Sequence, residues 1–166
     1  LVDVTVTNAR RGDIAATGQG HGIFVDNTGA AGAVVTIDNA TISGFEKDAI
    51  NARFTEVQIT GGTITGAGVT SANNGANPDP AQNGIQLLGV TGKVEGVTIS
   101  NIAYDDPIIT NATGILVWGG SQLELGGNII SGALDGGNVA GFIGIAVVEG
   151  GDGGVIDGNS ITNAQY

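Results

Sequence analysis

Six times along this chain one short phrase returns: Thr5-Val6-Thr7-Asn8, Thr41-Ile42-Ser43-Gly44, Thr63-Ile64-Thr65-Gly66, Thr98-Ile99-Ser100-Asn101, Ile129-Ile130-Ser131-Gly132 and Ser160-Ile161-Thr162-Asn163. Each places a β-branched apolar residue before Ser or Thr and then Gly or Asn. β-Branched residues and Thr favour strands. Gly and Asn reach the left-handed backbone at low cost. A strand that always ends in such a residue is expected to turn the same sharp corner every time. The central apolar residues lie 36, 22, 35, 31 and 31 residues apart. Self-similarity on this scale is the signature of a solenoid.

Two further rows keep phase with the first. Gly22-Ile23, Ala49-Ile50, Gly84-Ile85, Gly114-Ile115 and Gly144-Ile145 each open a short apolar run. Leu1, Ile37, Ile59, Val94, Leu125 and Ile156 stand five residues before the first row. Each repeat therefore holds three short strands with apolar residues at period two. The shortest repeat approximates a bare coil, and the extra length of the others falls after the Gly/Asn corner. That puts the loops Ala9–His21, Ala67–Asn83, Ile102–Thr113 and Ala133–Ile143 on one edge, where solenoids build their working surface. No long stretch has a 3.6-residue period, so almost no helix is expected. One coil cannot bury its own apolar side, whereas several stacked coils can.

The phrases Gly22-Ile23-Phe24-Val25, Asn39-Ala40-Thr41-Ile42-Ser43-Gly44 and Gly158-Asn159-Ser160-Ile161-Thr162-Asn163 carry a resemblance to the right-handed parallel β-helix repeat of the pectate-lyase-like superfamily, over nearly the whole chain. The resemblance implies an all-β, right-handed parallel β-helix (a β-solenoid) of about five to six coils without terminal caps, forming one domain over residues 1–166. Activity is not implied, because that superfamily includes lyases, hydrolases, epimerases, tailspikes, adhesins and stalks. Leu1 already occupies a core row, and Asn163 occupies the last corner. An uncapped coil exposes unpaired strand edges, so the chain reads as part of something longer or as a stacking subunit. The partners expected at the open ends are other β-helix subunits or flanking domains.

Composition narrows the partners. The formal charge is −11, from 16 acids against five Lys and Arg. Phosphate backbones would be repelled, so nucleic acid is not an expected partner. There is no Cys and hence no disulfide framework. No run approaches the ~18 apolar residues of a membrane span. An acidic chain rich in Gly and Thr, without Cys or Met, points to an extracellular or cell-surface prokaryotic protein.

Candidate sites are few. His21 lies in Gly20-His21-Gly22, which is similar to a motif of polygalacturonase-like hydrolases. The accompanying segments are missing or out of order: Asp105-Asp106 follows the His, and no Arg-Ile-Lys occurs. The plain reading is a loop histidine before the obligatory Gly-Ile. Asp105 and Asp106 form a carboxylate pair suited to acid/base work or to Ca²⁺, the one ion foreseen here; otherwise no cofactor is expected. A lyase-type mechanism, as the resemblance implies it, also needs an Arg base, for which Arg53 is the candidate. The nearby acids Glu46, Asp48 and Glu56 serve equally as its salt-bridge partners. Trp118 is the single Trp, on the outward side of its strand beside Phe24, Gln86, Leu88, Ala146 and Val148. It could stack on a sugar ring, although loops or a partner are expected to cover that row. Trp118, Arg53, Asp105 and Asp106 are thus the candidate ligand-binding residues, with carbohydrate as the candidate ligand; no catalytic and no metal-ligating residue is assigned.

The remaining motifs carry little. Asp152 and Asp157 have the wrong spacing for a glycine–aspartate calcium repeat and read as a Gly-rich turn. Arg11-Gly12-Asp13 is a chance tripeptide. Asn39-Ala40-Thr41, in an expected strand, and Asn111-Ala112-Thr113 fit a glycosylation sequon. The Thr-x-Ser/Thr phrases form two outward hydroxyl ladders similar to those of ice-binding solenoids. Ile129 interrupts one ladder, and strand propensity on a solvated face is the plain expectation for both. The expected function is a non-catalytic structural or adhesive module, such as a stalk, adhesin or filament segment. The alternative is a carbohydrate-active enzyme, lyase or hydrolase, working on the loop-lined face.

Overall fold

The computed structural model describes residues 1–9, 20–29, 32–71, 80–105, 111–119, 122–135, 138–139, 141–149 and 154–165. Its strands come in triplets. The first is β1 (Thr5–Thr7), β2 (Ile23–Asp26) and β3 (Val34–Asp38); the second is β4 (Thr41–Ser43), β5 (Asp48–Arg53) and β6 (Glu56–Thr60). The third is β7 (Thr63–Ser71), β8 (Asn83–Leu88) and β9 (Thr91–Glu95); the fourth is β10 (Thr98–Asp105), β11 (Ala112–Trp118) and β12 (Leu123–Gly126). In the fifth, β13 (Ile129–Gly132) is followed by a hairpin of β14 (Leu134–Asp135) and β15 (Asn138–Val139), then by β16 (Phe142–Val148) and β17 (Val155–Asp157). β18 (Ser160–Thr162) opens another round.

Equivalent strands pair in parallel. Sheet one is β1-β4-β7-β10-β13-β18, sheet two is β2-β5-β8-β11-β16 and sheet three is β3-β6-β9-β12-β17. The fold is an all-β parallel β-solenoid with no helix among the described residues. It winds through about four turns instead of five to six coils. Sheets two and three have five strands each, which four turns connect, and the sixth strand of sheet one only opens a further round.

The core is a set of stacked apolar columns. In sheet one Ile42, Ile64, Ile99 and Ile130 pair in register and are fully buried. Ile50, Ile85 and Ile115 do the same in sheet two, and Ile37, Ile59, Val94 and Leu125 in sheet three. Each such side chain contributes about 1.5–3 kcal/mol by leaving water. The columns open at both ends: Leu1 and Val2 at one, and Val147, Ile156 and Ile161 at the other, are exposed. The Gly-Ile row has a steric cause. A Cβ at Gly114 would lie 2.5 Å from the Gly144 carbonyl oxygen and 2.5 Å from Ile130 Cγ2. Here the backbone of sheet two presses onto the isoleucines of sheet one, and only Gly, or the buried Ala49, fits.

The corners correct the sequence reading in part. Asn8, Gly44, Asn101 and Asn163 are left-handed as expected, with φ between 56° and 65°. Gly66 and Gly132 are not. A Cβ at Gly66 would meet the Asn101 carbonyl oxygen at 2.5 Å, and one at Gly132 would meet the Asn163 carbonyl oxygen at 2.6 Å. These two glycines are required by close approach, since the neighbouring chain crosses directly over them. The most regular corner is one the repeated phrase does not display, between sheets three and one. Asp3, Asn39, Gly61, Gly96, Gly127 and Gly158 all have φ between 51° and 66°. Asn39 therefore sits at a corner, not in a strand, and its Nδ2 donates to Asp3 Oδ1 at 2.8 Å. Between sheets two and three the left-handed residues are Phe54, Gly89, Gly119 and Glu149.

The long segments do leave from one edge, between sheets one and two, but they are partly strand. β7 and β10 run on past the corner and pair from Gly68–Ile102 to Ser71–Asp105. Tyr104 then exchanges backbone hydrogen bonds with Gly141, beside the start of β16.

Candidate functional site on the outer face of sheet two

Register places three outward rows on sheet two. One holds Phe24, Asn51, Gln86, Leu116 and Ala146, and the next holds Asp26, Arg53, Leu88, Trp118 and Val148. The third, just before the Gly-Ile row, includes Asp48, Asn83, Thr113 and Ile143. Arg53 and Trp118 thus share a row with Leu88 between them. At the usual strand spacing their Cα atoms are about 10 Å apart.

Asp105 does not join them. It closes β10 next to Tyr104, and Tyr104 meets Gly141, which also accepts from the Ala112 amide. That is the starting edge of β11, whereas Trp118 ends it, about 20 Å further along at the usual rise. Asp106 lies outside the described residues, as do Arg11-Gly12-Asp13 and Asp152. Loop cover over the outward apolar row is not found at Phe24 or Trp118, which are 49% and 43% exposed. Trp118 Nε1 donates to Glu149 Oε2 at 3.0 Å.

The structure instead assembles a polar cluster around Asp48, whose carboxylate is fully buried. Asn51 Nδ2 donates to Asp48 Oδ2 at 2.7 Å, and Asn83 Nδ2 donates to Oδ1 at 2.9 Å. Asn83 Nδ2 also reaches Gln86 Oε1 at 3.0 Å. His21 Nδ1 lies 2.9 Å from Asp48 Oδ2. That is ion-pair distance, yet the nitrogen has no hydrogen bond of acceptable geometry. The contact is thus close approach of the ring to a buried carboxylate and not a hydrogen bond. The strap carrying His21 is pinned by backbone bonds: the Glu46 and Lys47 amides donate to the Gly20 carbonyl, and the Gly22 amide donates to that of Asp48.

Arg53 belongs to the same cluster. Its Nε donates to Asn51 Oδ1 at 3.1 Å, and its guanidinium lies 5.3 Å from the Phe24 ring centre. The His21 ring stacks on the same phenyl at 5.2 Å. The partners found for Arg53 are thus an amide and a ring, and Asp48 is taken up by His21 and the two asparagines. Glu56, exposed, accepts from Gln58. Lys47 is held with Nζ donating to the Ala81 carbonyl at 2.7 Å; burial pushes its pKa down, with the Asp48 charge opposing. Asp26 is held below the usual carboxylate range by the Thr28 hydroxyl and amide, with Arg53 adding to the effect.

Sequence reasoning singled out Arg53 and named His21 but did not join His21 to Asp48, 27 positions away by residue number. The signal was the register: the residue just before Gly22, Ala49, Gly84 and Gly114 is His21, Asp48, Asn83 and Thr113, a polar run along one column. Among the described residues no group of three or more His, Cys, Asp or Glu comes together to hold a metal. No helix long and apolar enough to cross a membrane occurs among them. No protein-family model, no curated protein and no solved structure matches the chain.

Proposed function

We propose that the chain is a non-catalytic structural or adhesive module of a secreted or cell-surface protein: a stalk, adhesin or filament segment on the pectate-lyase-like β-helix plan. The observation that carries this reading is the repeat itself: three parallel sheets stack coil on coil around continuous buried columns, of which Ile42, Ile64, Ile99 and Ile130 form one. In such a repeat the surface that best matches a coil is another coil of the same kind. Light scattering over a concentration series tests this. Mass rising with concentration supports stacking; a monodisperse monomer with solvated terminal coils refutes it.

One observation favours the carbohydrate-active alternative. His21 Nδ1 lies 2.9 Å from the buried Asp48 carboxylate, which puts an imidazole beside an acid on this face. Arg53 and Trp118 stand on the same outer face. Release of unsaturated or reducing sugars from acidic polysaccharides, abolished by His21→Ala, would establish the enzyme reading. No release from any substrate at high protein concentration would remove it.

A further inference from the structure

Among the described residues, the outer face of sheet one differs from those of sheets two and three. Its two outward rows are Thr5, Thr41, Thr63, Thr98, Ile129 and Ser160, and Thr7, Ser43, Thr65, Ser100, Ser131 and Thr162. Eleven of the twelve positions are hydroxyl residues, the other is an exposed isoleucine, and none is charged or aromatic. All are exposed or half-exposed. This is unexpected on a chain of net charge −11. The outer face of sheet three, built from similar strands, carries Glu56, Lys93, Glu95, Glu124 and Asp157. Strand propensity alone does not separate the two faces, because it acts equally on both.

The hydroxyls are also unused by the protein. Elsewhere Thr55, Thr60 and Thr70 donate to a backbone carbonyl or a carboxylate. Among the described residues no hydroxyl of the two rows makes a side-chain hydrogen bond to a protein group. Each is left to water, as both donor and acceptor. Their positions are regular in two directions. Neighbouring strands stand about 4.8 Å apart, and residues two apart along a strand about 6.6 Å, over six strands in unbroken register up to Ser100 and its partners.

We propose that the outer face of sheet one is an ice-binding surface, on which the two hydroxyl rows hold water in a lattice continuous with an ice crystal face. A grid that repeats at fixed spacing in two directions is what a crystal face of water also presents. Donor–acceptor groups suit water held in either orientation, and the threonine methyls and Ile129 supply the apolar relief between them. Charge would impose its own tightly oriented hydration shell, and there is none here. The uncharged face argues against an ionic partner, and the lack of aromatic rings argues against sugar stacking. This proposal is independent of the open core ends and of the His21 cluster.

The test is ice affinity of the whole chain. Fluorescently labelled protein should be taken up by a growing ice hemisphere on discrete planes, and the unlabelled chain should slow ice recrystallisation at micromolar concentration. The double substitution Thr63→Lys and Thr98→Lys should reduce that activity at least tenfold, with an unchanged circular dichroism spectrum. Thr91→Lys, on sheet three, should leave it intact. Exclusion of the labelled natural chain from ice overturns the proposal without recourse to any variant. So does equal loss in the sheet-three control. If the double substitution instead abolishes a concentration-dependent dimer, or retention on an insoluble neutral polysaccharide, while ice growth is unaffected, the face serves a second copy or a glycan and the proposal fails.

Discussion

Three glycines allow the packing argument to be tested through one chemical change. Replacing glycine by alanine removes unfolded-state entropy and stabilises by about 0.4–1 kcal/mol where the native backbone and the space permit it. Gly126 in β12 meets both conditions: its φ is not left-handed, and an added Cβ would meet nothing within 4 Å. Gly126→Ala should therefore stabilise by about that amount. Gly127, the next residue, has equally open surroundings but a φ of 61°. Gly127→Ala isolates the left-handed penalty, about 1–2 kcal/mol, and should destabilise by about 1 kcal/mol after the entropy gain. Gly114 has an ordinary φ and no space, with the Gly144 carbonyl oxygen and Ile130 Cγ2 both at 2.5 Å. The oxygen is backbone inside a parallel ladder, and Ile130 is fully buried, so neither can retreat freely. Overpacking of this kind costs about 1–3 kcal/mol. In a chain of this size each kcal/mol moves Tm by about 2–4 °C. Urea titrations and thermal melts of the three variants should give the order Gly126→Ala, natural chain, Gly127→Ala, Gly114→Ala. If Gly114→Ala equalled or exceeded the natural chain, sheet two would not press on the isoleucine column. If Gly126→Ala and Gly127→Ala matched, the left-handed corner between sheets three and one would be wrong.

Phe54 occupies a left-handed corner with φ 52° and a side chain 46% exposed, so Phe54→Gly should raise Tm slightly, because release of about 1–2 kcal/mol of backbone strain exceeds the about 0.4–1 kcal/mol of unfolded-state entropy that a glycine adds; a clear fall would show that its ring is needed for packing. Asn128, fully buried, donates Nδ2 to the Val94 carbonyl and accepts from the Val97 amide through Oδ1. Asn128→Leu should cost roughly 2–6 kcal/mol, because two backbone groups lose their partners at about 1–3 kcal/mol each; a loss under 1 kcal/mol in urea titration would contradict this. Lys47 has its pKa lowered by burial, so the unfolded chain binds more protons in the alkaline window below the ordinary lysine value, and stability there should rise with pH. Melts in parallel with Lys47→Met, which cancels the titration of other groups, should show the natural chain gaining on the variant through that window; a flat or falling difference would refute the burial effect.

The solenoid was legible because its periodicity is redundant. Ile42, Ile64, Ile99 and Ile130 announce one column, the Gly-Ile row a second, and three rows in phase leave little alternative to parallel stacking. The corners were half legible. Gly and Asn mark a possible left-handed turn, but the letters do not separate Gly44, which is left-handed, from Gly66, which is there because Asn101 passes over it. Phe54 and Glu149 could not have been found this way, since nothing in their chemistry favours φ above zero; the corner geometry is imposed by the strands on either side. The candidate site was the least legible part. Arg53 could be placed on the outward side, but its partners depended on distances between coils whose spacing varies from 22 to 36 residues. In the sequence Asp48 is one of three acids near Arg53, and only stacking in register with Asn83, against the strap carrying His21, turns it into a buried carboxylate.

The two outer faces answer one question in opposite ways: what happens to a polar side chain on the outward side of a strand. On sheet two, Asp48, Asn51 and Asn83 bond to one another, and Arg53 and His21 lie against a ring. A ligand binding there must displace or extend contacts already made, so affinity would have to come from what the network leaves over, such as the guanidinium amino groups and the exposed Trp118 ring. On sheet one nothing is made in advance. The hydroxyls are ordered by the backbone alone, at no cost in broken contacts, and β-branching holds each threonine to few χ1 states. A surface preorganised in that way and left empty of internal bonds suits a partner that is itself periodic and weakly bonding per site. Many weak contacts then add up only because their spacing is fixed in advance. Interrupting the spacing should therefore cost more than removing a single contact, which is why lysines at the centre of the face, and not at its rim, are the informative perturbation.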